Sequence, residues 1–407
     1  MISFSILVLT YNRHELLKKT LESIIGQTYG NFEVILIDNG SQPPVADIVN
    51  KYNDKRIKLK RYESNAEPCD VPEDFLDELR GTHYLTFTDD DVLLPSALEI
   101  VAEVMGQNGN IESLQVGFTH FYHDTGTCNL KEANLNAFDG RLEVFEAAEA
   151  ARFFFNGWGI GPAKRYNGPK MAHSSGAFIS RSLIERTRKK QGKLYVKPFG
   201  DIGLVGTLLH TKKAYFLNLP LVIIGRTRIS EMNGSKPGQR QKWNYAVKYL
   251  EHSPIKGVSF INMGADAHLQ VLFRNKYNGK YDCRLRPDFY YWHLKAVASD
   301  KRWTWITLRD IAECIPHYLI SMYRFLTLRE AMREIVRLSS SLKKVASRTL
   351  RAKIKPGGQT NGVRHDDESL NLSFKDINSF AEWVNTNYIE SLRNIPEVYN
   401  ASARILK

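Results

Sequence analysis

Along the first quarter of the chain, apolar residues come alternately in runs of strand length and at helical spacing. Phe4–Leu9 is a run of strand length. Over Glu15–Ile25 the apolar positions Leu16, Leu17, Leu21, Ile24 and Ile25 recur three to four residues apart, one face of a helix. Phe32–Ile37 is a second buried strand, ending in Asp38-Asn39-Gly40-Ser41. A helix over Val45–Tyr52, a strand around Ile57–Arg61, a short helix near Glu73–Leu79 and a strand over His83–Thr88 follow. This β-α-β order predicts an α/β fold with a mainly parallel central sheet, Rossmann-like, carrying helices on its faces. Ligands of such sheets gather beyond the carboxyl ends of the strands.

Further on the pattern is less regular. Strands are predicted at Leu114–Tyr122, Gly176–Ile179 and Ala214–Leu217, and helices at Val144–Phe155, Ser182–Lys190 and Ile202–His210. Past Arg226 the signal is helical: Trp243–Leu250, Ala265–Arg274, Leu308–Tyr323 and Leu328–Leu350. A polar, Gly-containing stretch around Lys355–Asn371 reads as a linker. The last helix, Phe374–Tyr388, follows Ser373, with Asp376 three residues on as a capping box. The expected organisation is an α/β domain over 1–225, a C-terminal helical region over 226–354, a linker over 355–372 and a terminal helical segment over 373–407.

Composition narrows this frame. The chain has 407 residues, 43% hydrophobic and 25% charged, as in soluble globular proteins. Its four cysteines form no CxxC pair, so neither a zinc site nor a redox motif is indicated. The first apolar run lacks a preceding basic flank and leads into a turn, so it reads as a strand and not as a signal peptide. No uncharged apolar stretch is long enough to span a bilayer. These features suggest a cytoplasmic protein. The net charge of +12 suits an anionic partner: nucleic acid, anionic lipid or a phosphorylated substrate.

Three polar groups fall at strand ends: Thr10-Tyr11-Asn12-Arg13, Asp38-Asn39-Gly40-Ser41 and Asp89-Asp90-Asp91, the last followed by Pro95. Adjacent aspartates repel one another and lose solvation when buried. A divalent cation relieves both costs, and hard oxygen ligands suit Mg2+ or Mn2+. The competing reading is a solvated acidic turn at the start of the helix near Pro95. Asp38 can likewise be a turn residue. It is the three groups within one βαβ frame that carry the signal.

On these residues the chain resembles the family-2 glycosyltransferases of the GT-A fold. Thr10-Tyr11-Asn12 corresponds to the family's "TYN" turn, Ile37-Asp38-Asn39-Gly40-Ser41 to its "(V/I)DDGS" element, and Asp89-Asp90-Asp91 to its metal-binding "DxD". Ser23-Ile24-Ile25-Gly26-Gln27-Thr28-Tyr29 is similar to a further family stretch. The resemblance implies that Asp38 bonds a uracil ring, that Thr10, Tyr11, Asn12 and Arg13 line the nucleotide pocket, and that Asp89 touches the ribose. It gives the metal to Asp90 with Asp91, anchored on Pro95, or to Asp89 and Asp91 on a strict DxD count. The family's catalytic base begins a helix, and Phe199-Gly200-Asp201-Ile202 fits, so Asp201 is the expected general base. The other reading of Asp201 is a helix cap. His173, in His173-Ser174-Ser175-Gly176, is a weak acceptor contact. The implied activity is metal-dependent transfer of a single sugar, with inversion. The donor is a nucleotide-sugar, a UDP-sugar by preference, and the acceptor a glycan or lipid-linked hydroxyl in surface-polysaccharide assembly.

The sequence departs from the family in two places. The second "DDGS" aspartate is Asn39, and the segment between Asn65 and Arg80 is short and carries Pro68, Cys69 and Pro72. The QxxRW signature of processive synthases is absent, which favours single-sugar transfer. In the C-terminal region Leu328–Leu350 sets Leu328, Met332, Ile335, Leu338 and Leu342 on one face and Arg329, Arg333, Arg337, Lys343 and Lys344 on the other. Such a basic amphipathic helix suits peripheral attachment to an anionic membrane surface, against the alternative of a solvated face packed on its own domain. The rival functions are a nucleotidyltransferase, which should carry a Gly-rich loop that Thr10–Glu15 lacks, and a nucleic-acid-binding protein, for which no recognition signature is present.

Overall fold

The computed structural model describes residues 1–67, 70–124, 126–129, 138–148, 174–195, 204–227 and 371–390, with isolated positions besides. The chain divides into two compact units: Met1–Ala150, Pro169–Ile229 and Asp367–Lys407 form one, Ala151–Gly168 and Ser230–Asp366 the other. Beyond Ala151, the described positions of the second unit are Leu319, Met332, Arg333, Val336 and Ser339, all helical and exposed. The remainder of the helices expected over 243–350, and the linker, lie outside the described residues.

The first unit is built on one mixed sheet with a mainly parallel core. Strands β1 (Phe4–Thr10), β2 (Phe32–Asp38), β3 (Ile57–Arg61) and β4 (His83–Thr88) are parallel in the order β3-β2-β1-β4. Helices α1 (His14–Ile25) and α2 (Ala46–Tyr52) make the crossovers among the first three. The core strands are buried on both faces, which is why they read as apolar runs without alternation. Helix α1 buries Leu17, Thr20, Leu21 and Ile24, close to the periodic face of the sequence. A short α3 (Asp70–Glu73) lies upstream of β4, and the two-residue strand β5 (Val92–Leu93) and α4 (Ala97–Gln107) lie downstream.

The rest of the sheet decides where the site lies. Strand β9 (Ala177–Ser180) pairs antiparallel with both β4 and β6 (Ser113–Tyr122). Strand β6 therefore runs with β4, and β10 (Lys213–Arg226) is parallel to β6. The carboxyl ends of β1, β2, β4, β6 and β10 thus open on one edge of the sheet. Strand β5 folds back antiparallel onto β10, bringing the chain just after the aspartates against Val222 and Ile223.

Several elements differ from the sequence expectation. The helix expected from Val144 begins later, because Leu142–Glu146 is strand β8, antiparallel to β10. Leu142, Val144 and Phe145 are buried and Glu146 is exposed, and pairing with β10 holds the segment extended. Strand β10 runs on to Arg226 instead of ending at Leu217, with register shifts around Pro220, which has no N–H for the ladder. The described part of the helix expected at Ile202–His210 is a 3-10 turn, Leu204–Leu209. Near residue 73 the helix is α3 followed by a 3-10 turn, Leu76–Glu78.

The terminal segment belongs to the first unit. Strand β11 (Asn371–Ser373) pairs with β7 (Thr127–Asn129), itself joined to β6. Helix α5 (Arg181–Gln191) follows β9, capped by the Ser180 hydroxyl, which accepts from Leu183 N at 3.2 Å. Helix α6 (Ile377–Val384) buries Ile377, Phe380, Ala381 and Val384 in the core. Its cap is Asp376 and not Ser373: Asp376 Oδ1 accepts from Ser379 N at 2.9 Å. The Phe380 ring stacks on Phe121 of β6 at 5.8 Å. Ser96, just after the β5 turn, donates to Asn385 Oδ1 at 2.9 Å. The terminal segment thus backs the chain that follows the aspartates.

Candidate active site

The site begins with the register of β1 on β4. Leu9 lies beside Thr88, so the residues that follow each strand meet. Thr10 Oγ1 donates to Asp89 Oδ2 at 2.8 Å, and Tyr11 N donates to the same oxygen at 3.3 Å. Arg13 Nη1 donates to Asp89 Oδ1 at 3.2 Å and to Asp90 Oδ2 at 2.8 Å. Asn12 takes a left-handed φ of 55°, which asparagine tolerates better than most residues. Its N–H donates to Ser41 Oγ at 3.0 Å, and its Oδ1 accepts from Gln42 N at 2.8 Å. The turns after β1 and β2 are therefore stitched together. Tyr11 is left 43% exposed, a large aromatic surface open at the edge.

The aspartates are adjacent in sequence but occupy different environments. All three are buried. Asp91 is held from every side: Thr88 Oγ1 donates to Oδ2 at 2.7 Å, Ser175 Oγ donates to Oδ2 at 3.0 Å, and Gly225 N donates to Oδ1 at 3.0 Å. Thr20 Oγ1 donates to its carbonyl at 2.8 Å. Burial, then the neighbouring Asp90 charge, pushes the Asp91 pKa up to about 7, against these hydrogen bonds. Asp89 is pushed up to about 6, chiefly by burial and then by Asp90, with Arg13 and Thr10 opposing. Asp90 has a single donor to its carboxylate among the described residues, Arg13.

The edge also holds residues that the sequence did not single out. His123, just past β6, donates from Nε2 to the Asp90 carbonyl at 3.1 Å. Arg226, at the end of β10, donates from Nη2 to His120 Nε2 at 2.9 Å, and its carbonyl accepts from His123 N at 3.0 Å. Gly225 lies so close that a Cβ there would fall 1.9 Å from the Asp90 carbonyl oxygen. Glycine is required because backbone meets backbone. No local signal marks these positions, since they reach the aspartates through the β5–β10 pairing. Ser175 had one signal, its place in the His173–Gly176 segment.

Asp38 is enclosed within the turn that follows β2. Its side chain has 0% exposure. Ser41 N donates to Oδ1 at 2.8 Å, Val45 N to Oδ2 at 3.2 Å, and Arg61 Nη1 also donates to Oδ2. Burial raises the pKa, but the hydrogen bonds from Ser41, Val45 and Arg61 outweigh it, so the carboxyl titrates below its usual value. Arg61 and the turn thus enclose this carboxylate. Asn39 is also engaged: it bonds Asn65 Oδ1 at 2.9 Å and Ala66 O at 3.0 Å. Asp201 and His173 lie outside the described residues. The chain leading toward Asp201 is fastened at Leu194 and Tyr195, whose N–H groups donate to the buried Glu73 Oε2 at 2.8 and 3.0 Å.

Among the described residues no three His, Cys, Asp or Glu side chains gather into a closed metal shell. A Mg2+-type site need not be one. Such a cation is commonly held by one or two carboxylates, with substrate phosphates and water completing its octahedron. Asp90 fits that part, whereas both oxygens of Asp91 already have donors.

The sequence profile described as Glycosyl transferase family 2 matches residues 5–186. That span contains every strand-end group at this edge except those of β10. An uncharacterised glycosyltransferase of Haemophilus influenzae is 32% identical over 125 residues, covering 28% of this chain and 42% of that protein. The GalNAc(5)-diNAcBac-PP-undecaprenol beta-1,3-glucosyltransferase of Campylobacter jejuni is 25% identical over 222 residues, covering 53% of this chain and 62% of its own length. The chain therefore spans less than two thirds of either relative. The crystal structure of S. aureus TarS 1-349 in complex with UDP-GlcNAc is similar at 13% identity and a TM-score of 0.48, covering 89% of this chain and 95% of that one. Residues 5–186 thus match a family-2 glycosyltransferase domain, and they build most of an α/β fold whose sheet has a mainly parallel core.

Proposed function

We propose that the protein transfers a single sugar from a nucleotide-sugar, a UDP-sugar by preference, to a hydroxyl of a glycan or lipid-linked acceptor, with inversion at the anomeric carbon. One observation carries the reading: Thr10, Arg13, Asp89 and Asp90 are joined by hydrogen bonds at the carboxyl edge of the parallel strands. The undecaprenol-linked acceptor named for the Campylobacter relative supports the lipid-linked option.

In this reading the exposed Tyr11 ring stacks on the base, and the Asn12–Ser41 turn forms the pocket wall. Asp38 acts through that wall by fixing the turn and Arg61. Asp89 meets the ribose. Asp90 holds Mg2+ or Mn2+, which when bound neutralises charge on the departing diphosphate. Asp201 accepts the proton of the acceptor hydroxyl as its oxygen bonds to the anomeric carbon and the bond from that carbon to the diphosphate oxygen breaks. His173 is an acceptor contact. The basic helix over 328–350 rests on an anionic membrane surface at the inner face of the cytoplasmic membrane. The exposure of Met332 and Arg333 supports this. Salt-sensitive co-sedimentation with anionic but not neutral vesicles reads that contact.

The test is calorimetry with UDP-, GDP- and dTDP-sugars, with Mn2+ and with chelator, followed by transfer assays on a lipid-linked acceptor. One nucleotide class should bind and should need the cation. Asp201→Asn should lower turnover by roughly 10²- to 10⁴-fold with donor affinity unchanged. Near-normal turnover would assign Asp201 to helix capping instead.

A further inference from the structure

We infer that Arg13 is the resident counter-ion of the donor site. Its guanidinium holds Asp89 and Asp90 while no nucleotide is bound, and it leaves them for the donor's diphosphate when a divalent cation engages Asp90. The inference rests on the reading above, that Asp90 holds such a cation.

The geometry points this way because one nitrogen does two jobs. Arg13 Nη1 bridges Asp89 Oδ1 and Asp90 Oδ2, at 3.2 and 2.8 Å. Asp89 keeps its other oxygen on Thr10 Oγ1 and Tyr11 N. Asp91 has its own donors in Thr88, Ser175 and Gly225. When the guanidinium leaves, the aspartate turn stays fixed, and one oxygen opens on each of the two residues assigned to ribose and cation. Arg13 lies on the solvent side of the pair: its side chain is 25% exposed, against 4% for Asp89 and 10% for Asp90. It also precedes α1 without capping it through its side chain, so its departure breaks no helix cap.

A guanidinium and a divalent cation cannot share Asp90 Oδ2 at close range, since like charges a few ångströms apart repel strongly in a partly buried setting. A displaced guanidinium has a matching partner in a diphosphate, whose oxygens suit its planar fork of N–H donors. Arg13 is then a competitor of the cation in the empty site and an ally of the nucleotide in the filled one.

That reversal of sign is the test. Mn2+ affinity of the nucleotide-free chain is read from the free-ion signal in electron paramagnetic resonance, and UDP affinity at saturating Mn2+ by calorimetry. Both are measured on the wild type, Arg13→Gln and Arg13→Lys, with thermal melts to confirm folding. Arg13→Gln should bind Mn2+ alone about tenfold more tightly and UDP with Mn2+ about tenfold more weakly. Arg13→Lys keeps the charge and loses the fork, so its Mn2+ affinity should stay near wild type while UDP weakens. Unchanged or weaker Mn2+ binding in Arg13→Gln, with wild-type UDP binding still cation-dependent, overturns the inference alone. Wild-type UDP affinity that is equal with Mn2+ and with chelator overturns the cation reading itself, and the inference with it.

Discussion

The turns after β2 and β4 both bury aspartate at the same edge of the same sheet, and they treat it in opposite ways. In the first, Asp38 is one carboxylate met by two backbone N–H groups and Arg61, and its pKa is lowered. In the second, Asp89, Asp90 and Asp91 are buried side by side, with the Arg13 guanidinium bonded to Asp89 and Asp90, and the Asp89 and Asp91 carboxyls are pushed up to about 6 and about 7. A compensated buried charge is what a fold uses to fix a turn. An uncompensated one is a liability unless something positive comes to it, and in a sheet-edge cleft that is the mark of a binding site. The two turns share a sequence signature, aspartate after an apolar strand, and differ in charge balance: one carboxylate meets the Arg61 guanidinium in the first, whereas three carboxylates lie beside the Arg13 guanidinium in the second.

The comparison can be broken at either turn. The largest effect is expected at the second: Asp90→Ala should weaken cation-dependent UDP binding by about 10³-fold, or about 4 kcal/mol, because the carboxylate assigned to the cation is gone. Its thermal stability should hold or rise, since a like charge leaves a buried cluster. Titration calorimetry paired with a thermal melt measures both, and a stability loss without an affinity loss would make the second turn structural like the first. At the first turn, Asp38→Ala should reverse the pattern, costing about 3 kcal/mol of stability as Arg61 and two N–H groups lose their acceptor. Urea unfolding reads it; wild-type stability with poor UDP binding would return Asp38 to the role of base reader.

Gly225→Ala should cost about 1–3 kcal/mol and distort the second turn alone, because the added Cβ falls 1.9 Å from the Asp90 carbonyl oxygen. Reduced UDP affinity with an intact Asp38 turn, followed by amide exchange, would locate the damage. The smallest effect is in acid. The Asp38 pKa is lowered, so its contribution is present in full above the unfolded value near 3.8 and is lost as pH falls through the lower folded value. Between about pH 5 and about pH 2 the Asp38→Ala variant should therefore lose stability less steeply than wild type. Equal slopes would mean that the Asp38–Arg61 pair contributes nothing to acid unfolding.

What the sequence determined by itself was local. The apolar runs Phe4–Leu9 and Phe32–Ile37, the periodic helix over Glu15–Ile25, and the polar groups after each strand follow from near-neighbour patterns that water enforces wherever the chain ends up. With them came the edge on which Thr10, Arg13, Asp38, Asp89 and Asp90 stand, since parallel βαβ units leave little freedom in direction. Only the tertiary structure decided how those residues are employed. Whether Asp38, Asp90 or Asp91 has acceptor capacity left depends on Arg61, Arg13 and Gly225 respectively, which arrive from other strands and turns. The strand at Leu142–Glu146 likewise needed β10 as its partner, and the extension of β10 to Arg226 needed β6 and β5. The burial of Phe380 against Phe121 also joins residues far apart in the sequence. Strand pairing and charge compensation are long-range terms: their free energy resides in contacts between residues far apart in sequence, and no window of neighbouring residues contains them.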